Sequence, residues 1–475
     1  MKKAFITTAA ILLALCLNAQ VSVWDGTAEP WTHGSGTEND PYLIENAQNM
    51  AYLANGVNEG ADYANEYFLL TTDLDLGSEI EKQWIPVGNS DGKCFSGHFD
   101  GGSRKVFNIS ILRIDDNYVG LFGNAKNGSI RNIVIEKASG GEQYYIFHTG
   151  TSSGLLLGYG DNIVLENCVN NANVEWQNDV PGQIDDKIGG LFGFLRNSAV
   201  RDCRNYGRLR IQQTIDNGIG YFGGVAGAIE SCEIALCCNK GDILVLDCNE
   251  DYVSEGGIVG YASTDAVISN CYNVSDIRCG GSTYSYAGGI VGFVDDDTSA
   301  SVVNCYYAGA MEAIHNCGII AHPDEQTAEI NVTNSYYLYN TVTINYYGIP
   351  KSESAMKSEE FVNLLNNGEN IYAMDEFNLN DGYPIFADEY DFIGETAQYN
   401  GISVYPNPAS GIISVSFDDN ANCHSVEIFS LDGRLVKAQS ANFDAIDISS
   451  LASGLYLIKV RMKDGREYNE RIVKE

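Results

Sequence analysis

Basic residues are scarce in this 475-residue chain: Lys and Arg number 28 against 63 Asp and Glu, a net charge of -35. So acidic a surface repels nucleic acid and anionic membranes, which excludes polyanion binding except where charge is arranged very locally. Proline is also rare, at 9 residues, while 44% of the chain is hydrophobic. That much apolar side chain can offset the entropy of ordering, so a disordered tail or a fibre is ruled out. The six histidines (His33, His98, His148, His315, His322 and His424) are dispersed, and neither a His-Glu-x-x-His pair nor Cys-x-x-Cys occurs. No metal site and no cofactor is therefore expected. After the first twenty residues no apolar run approaches the roughly 20 residues that a membrane span needs.

Both chain ends carry an address. Lys2 and Lys3, the apolar run Ala9 to Leu17 and the small Ala19 read as a secretory signal peptide over residues 1–19. From about Gly401 short alternating runs are separated by Asp432-Gly433 and Asp464-Gly465, a strong hairpin signal that predicts a small antiparallel β-sandwich. Residues 401–475 hold 8 basic and 10 acidic residues, net -2, and Lys2 and Lys3 contribute +2, so the remaining segment carries the full -35. Val404-Tyr405-Pro406-Asn407-Pro408, Leu431-Asp432-Gly433-Arg434, Ile448-Ser449-Ser450-Leu451 and Gly454-Leu455-Tyr456 follow one another in this tail. In that order they resemble the C-terminal sorting domain of the type IX secretion system. The resemblance implies a bacterium of the Bacteroidota, the type IX machinery as a partner of residues 401–475, and a secreted or outer-surface location.

Between residues 118 and 345 the chain repeats. Gly120-Leu121-Phe122-Gly123, Leu155-Leu156-Leu157-Gly158, Gly190-Leu191-Phe192-Gly193, Gly224-Val225-Ala226-Gly227, Gly257-Ile258-Val259-Gly260 and Gly289-Ile290-Val291-Gly292 place their closing glycines 35, 35, 34, 33 and 32 residues apart. A second slot holds Cys168, Cys203, Cys237, Cys271 and Cys305, spaced 35, 34, 34 and 34. Units this short cannot bury an apolar face alone and must stack. The expectation is an all-β, right-handed parallel β-helix, with the five cysteines as an inward structural column of reduced thiols. These units resemble the GLUG motif of bacterial surface proteins. Residues 20–117 read as the N-terminal cap and first coils, including a short capping helix over 43–57. Residues 346–400 read as a C-terminal cap helix begun by Ser358, followed by a linker. Cys248, Cys279 and Cys317 fall in irregular segments, where a disulfide is geometrically open.

No convergent catalytic set emerges. Gly150-Thr151-Ser152-Ser153-Gly154 fits a nucleophile pattern but lacks the strand-turn-helix setting that would give it meaning. The segments 176–187, 211–221, 246–255 and 279–287 interrupt the repeat at one phase, and are expected to project from one face of the stack. Among them Trp176, Asp185, Asp186, Asp251, Tyr252, Tyr284 and Tyr286 combine aromatic faces with carboxylates, a set that suits sugar rings or a protein partner. The leading expectation is a non-enzymatic, adhesin-like binding protein that contacts glycan or host protein there. The alternative is a β-helix enzyme degrading polysaccharide through those loop carboxylates.

Overall fold

The computed structural model describes residues 21, 23–77, 83–111, 117–137, 144–147, 152–178, 185–213, 218–246, 252–280, 284–321, 327–339, 342, 347–376, 378–389, 402–405, 409, 411–417, 423–430, 434–441, 443, 445–452, 454–463 and 467–474. The signal-peptide expectation and the Asp432-Gly433 and Asp464-Gly465 turns lie outside them.

The repeat folds as a parallel β-solenoid of about six turns. One complete turn runs Leu157–Asp161, Val164–Glu166 with Val169–Asn170, Val174–Asn178 and Asp185–Gly189. Each segment pairs in parallel with its copies above and below, so four walls rise around one apolar core. The sequence spacing is the stacking step itself: on the first wall Leu157 pairs with Phe192, Phe192 with Ala226, Ala226 with Val259 and Val259 with Val291.

Two recurring devices turn the corners. Where the fourth wall meets the next first wall, a Cβ on Gly223 would lie 1.9 Å from the Ala226 carbonyl oxygen, and one on Gly256 would lie 1.7 Å from that of Val259. No side chain fits there. Within the second wall the chain bends through a left-handed residue, with φ of 57° at Asn132, 52° at Asn167, 53° at Asp202, 56° at Leu236, 52° at Asn270, 54° at Asn304 and 48° at Asn334. Asparagine tolerates that backbone better than most residues, and its amide also reaches the adjacent coil: Asn167 donates to Asn132 at 2.8 Å, Asn304 to Asn270 at 3.1 Å and Asn334 to Asn304 at 2.8 Å. A second, buried file runs Asn170, Asn205, Asn239 and Asn273, each donating to the next at 2.7, 2.8 and 3.1 Å.

Cys168, Cys203, Cys237, Cys271 and Cys305 each follow a left-handed residue, and all five are fully buried free thiols. Each thiol donates to the carbonyl two residues earlier at 3.2–3.3 Å. The Cys237 and Cys271 backbone N–H groups donate to the sulfurs of Cys271 and Cys305 in the next coil. Burial pushes the thiols of Cys203, Cys237 and Cys271 well above the usual range. Cys279 and Cys317 are likewise in no disulfide, and Cys248 lies outside the described residues.

The N-terminal helix α1 spans Ala47–Glu59, shorter at its start than the sequence suggests. Tyr42–Ile44 is instead a strand paired with Phe68–Leu70, and Asn46 caps the helix by accepting from Asn49 N–H. At the other end the short α2 (Glu353–Met356) precedes α3 (Glu359–Asn366), capped by Ser358 and ended by Asn367 in the left-handed region. Phe361 of α3 packs edge-on to Tyr306 and Tyr336 of the last coils.

Chain contacts divide the molecule into a unit of residues 1–369 with 376–383 and a unit of residues 370–375 with 384–475. Among its described residues the second unit carries a short antiparallel pair, Tyr372–Ala373 with Ile385–Phe386, and further along the chain antiparallel sheets of three and four strands. They close on an apolar core that includes Ile413, Val426, Ile428, Ile446, Ile458 and Ile472.

Leu236 breaks the asparagine file and is the one large apolar side chain among these left-handed positions. Leu236→Asn should stabilise the solenoid by about 1 kcal/mol, and Asn167→Leu should cost at least as much. Thermal and denaturant unfolding of the two variants check this.

Candidate functional site

The fourth wall places the sequence-selected aromatics. In register across its coils stand Asp185, Ile219, Tyr252 and Tyr284, and beside them Lys187, Tyr221, Ser254, Tyr286 and His315. Tyr252 and Tyr284 are 48% and 45% exposed and stack at 5.1 Å with planes 13° apart. Tyr286 stacks on His315 at 4.9 Å. On the adjoining first wall, Phe194, Ala228, Tyr261 and Phe293 share another register. Tyr221 leans across to Tyr261 at 4.3 Å, and Tyr286 meets Phe293 edge-on at 5.7 Å.

Between these rings lies a half-open groove of about 240 Å3, lined by Ile219, Tyr221, Tyr252, Ser254, Tyr286 and Phe293 among others. Its shape has a simple origin. Ser254 is the small residue in a file whose neighbours one coil away on either side are Tyr221 and Tyr286, so two aromatic residues flank a gap about two strand spacings wide, roughly 9.6 Å. The Ser254 hydroxyl donates to the Gly260 carbonyl at 2.7 Å and so belongs to the scaffold. Burial raises the Tyr286 and Tyr261 phenols above their usual range, with a hydrogen bond to Asp295 adding to the latter. Among the described residues the phenol oxygens of Tyr252 and Tyr286 carry no protein hydrogen bond.

The remaining selected residues do not join the groove. Trp176 was expected on a projecting segment. It is 1% exposed, a core side chain facing inward in the same alternation as Val174. Asp186 is buried as well, because it follows Asp185 on a strand and points to the opposite side. Asp185 remains at the surface, paired with Lys187 at 2.6 Å. Asp251 lies outside the described residues. The expected cluster of loop carboxylates is thus not assembled by the residues described here.

Sequence reasoning missed Tyr221 and Phe293. A signal existed for Phe293, since Tyr159, Phe194, Tyr261 and Phe293 each follow the closing glycine of a repeat. It also missed Glu255, which shares a strand with Tyr252 and Ser254 but occupies an inward file with Ile188, Phe222 and Ala287. Glu255 is fully buried, and loss of hydration pushes its carboxyl up to about 8, slightly offset by the Cys279 thiol.

Residues 403–475 match the secretion system C-terminal sorting domain. The chain is exported, to the outer cell surface or beyond. Of the curated proteins it resembles, halomucin of Haloquadratum walsbyi is 30% identical over 185 residues, which is 37% of this chain and 2% of that protein. Ulvan lyase NLR42 of Nonlabens ulvanivorans is 33% identical over 82 residues, 17% of this chain and 15% of that one. The chain therefore spans less than a sixth of either relative. Among solved structures, a candidate immunoglobulin A1 protease of Bacteroides ovatus overlays 75% of this chain and 95% of its own at 19% identity, with a TM-score of 0.45.

Two outcomes follow from these features. Glu255 is neutral when folded and ionised when unfolded between its ordinary value of 4.5 and about 8, so the folded state holds the extra proton. Stability should fall as pH rises through that window, by a total on the order of 5 kcal/mol, and Glu255→Gln should flatten the slope. Denaturant melts across pH measure it. Removing residues 401–475 should leave the chain inside the cell envelope, as protease accessibility on intact cells would show.

Proposed function

We propose that this exported chain is an adhesin-like binding protein, on the cell surface or secreted, that holds one ring of a neutral glycan in the gap over Ser254. Its GLUG-like repeats serve as the scaffold. The carrying observation is the pair Tyr221 and Tyr286, two coils apart with only a serine between them, at the mouth of a groove of about 240 Å3. A pyranose presents two apolar faces and a rim of hydroxyls. Aromatic rings above and below suit the faces, and the Tyr252 and Tyr286 phenols suit the rim. The charge of -35 favours an uncharged sugar over a sulfated or carboxylated one at this corner. Rigid strands supply the aromatic rings, so little ordering entropy opposes binding.

A protein side chain is the competing occupant. A glycan array and a pull-down with residues 21–400 separate the two. Tyr286→Ala and Tyr252→Ala should each weaken glycan binding about tenfold, equivalent to about 1.4 kcal/mol. An empty array beside a specific protein capture that Tyr286→Ala abolishes would reassign the groove to protein contact.

A further inference from the structure

A second groove, of about 460 Å3, opens on the outer face of the second wall near the N-terminal cap. Tyr67, His98 and Ser129 stand in one register across three successive coils, and Leu69, Asp100 and Arg131 stand two residues further along. Tyr67 stacks on the His98 imidazole at 4.5 Å. His98 Nδ1 and Ser129 Oγ are 2.9 Å apart. Arg131 donates through Nε to Asp100 at 3.0 Å, and Asp100 is held in turn by Asn132 and the Gly102 N–H. Glu38 stands on the rim.

Three groups here retain unspent bonding capacity. Among the described residues, His98 Nε2, the Tyr67 phenol oxygen and the two terminal nitrogens of Arg131 carry no protein hydrogen bond. A planar guanidinium with both Nη groups available matches a carboxylate. In the tautomer that gives Nδ1–H to Ser129, Nε2 is the lone-pair nitrogen. A phenol beside it can give a proton.

We propose that this groove is a catalytic site for β-elimination on a 4-linked uronate polysaccharide, an activity separate from glycan holding at the fourth wall. Arg131 pairs with the uronate carboxylate, which acidifies the adjacent C5–H. His98 Nε2 takes the C5 proton, the electron pair forms the C4=C5 double bond, and the C4–O bond breaks. The departing oxygen takes its proton from the Tyr67 hydroxyl, and the phenolate recovers one from the imidazolium through solvent. No further reactant is consumed. Ser129 and Asp100 are positioning residues, one orienting the imidazole and the other the guanidinium.

The test incubates the full chain with polygalacturonate and with alginate and follows the ultraviolet absorbance of the new conjugated double bond. Wild type should produce it. His98→Ala should lower kcat at least a hundredfold, Tyr67→Phe should lower kcat with little change in KM, and Arg131→Gln should lower kcat and raise KM together. Should His98→Ala fail to fold, the Tyr67→Phe and Arg131→Gln pair carries the test. The proposal is overturned by absence of double-bond product on both polymers, by chain cleavage without unsaturation, or by wild-type rates in all three variants. None of those results bears on neutral-glycan capture, which the array decides independently.

Discussion

The solenoid depends on backbone hydrogen bonds made between coils that lie thirty-odd residues apart in sequence. Each coil is too thin to have an interior of its own, and its apolar side chains are shielded only because a neighbour lies above and below. Registration is therefore the controlling constraint. It is secured where a wrong residue does most harm: at corners where a Cβ would strike a carbonyl oxygen, and at bends that require left-handed backbone. Files of asparagine amides add lateral bonds that form only in the correct register.

Such a scaffold turns sequence separation into spatial adjacency at a fixed spacing. Tyr221, Ser254 and Tyr286 are remote in the chain but form one file, and a single small residue within it makes an opening. The second wall does the same with Tyr67, His98 and Ser129. Neither arrangement needs a long loop, and the positions come from strands whose backbones are committed to pairing. What differs between the two grooves is chemistry: rings and phenols in one, a guanidinium and an imidazole in the other.

The architecture was legible in the sequence because glycine and cysteine spacing records the stacking step directly. The site was legible only in part. Tyr252, Tyr284 and Tyr286, expected on segments that break the repeat, stand instead on regular strands of the fourth wall, and Trp176 lies on a third-wall strand where alternation with Val174 sends it inward. Asp185 and Asp186 looked alike as neighbours, yet alternation separates them into a surface ion pair and a buried side chain. Glu255 could not have been anticipated from composition, since a carboxylate in an inward file runs against the pattern of Ile188 and Phe222. The His98 file escaped notice because its members are about thirty residues apart and none belongs to a recognisable motif.

The sulfur column has a consequence for how this chain must mature. Once enclosed, these thiols are shielded from oxidants, and burial leaves Cys203, Cys237 and Cys271 little thiolate to react. Before enclosure they are ordinary cysteines entering a compartment where disulfides form readily. Winding must therefore outpace cross-linking during transit, and a chain that stalls half-coiled would be trapped by bonds that its finished form never contains.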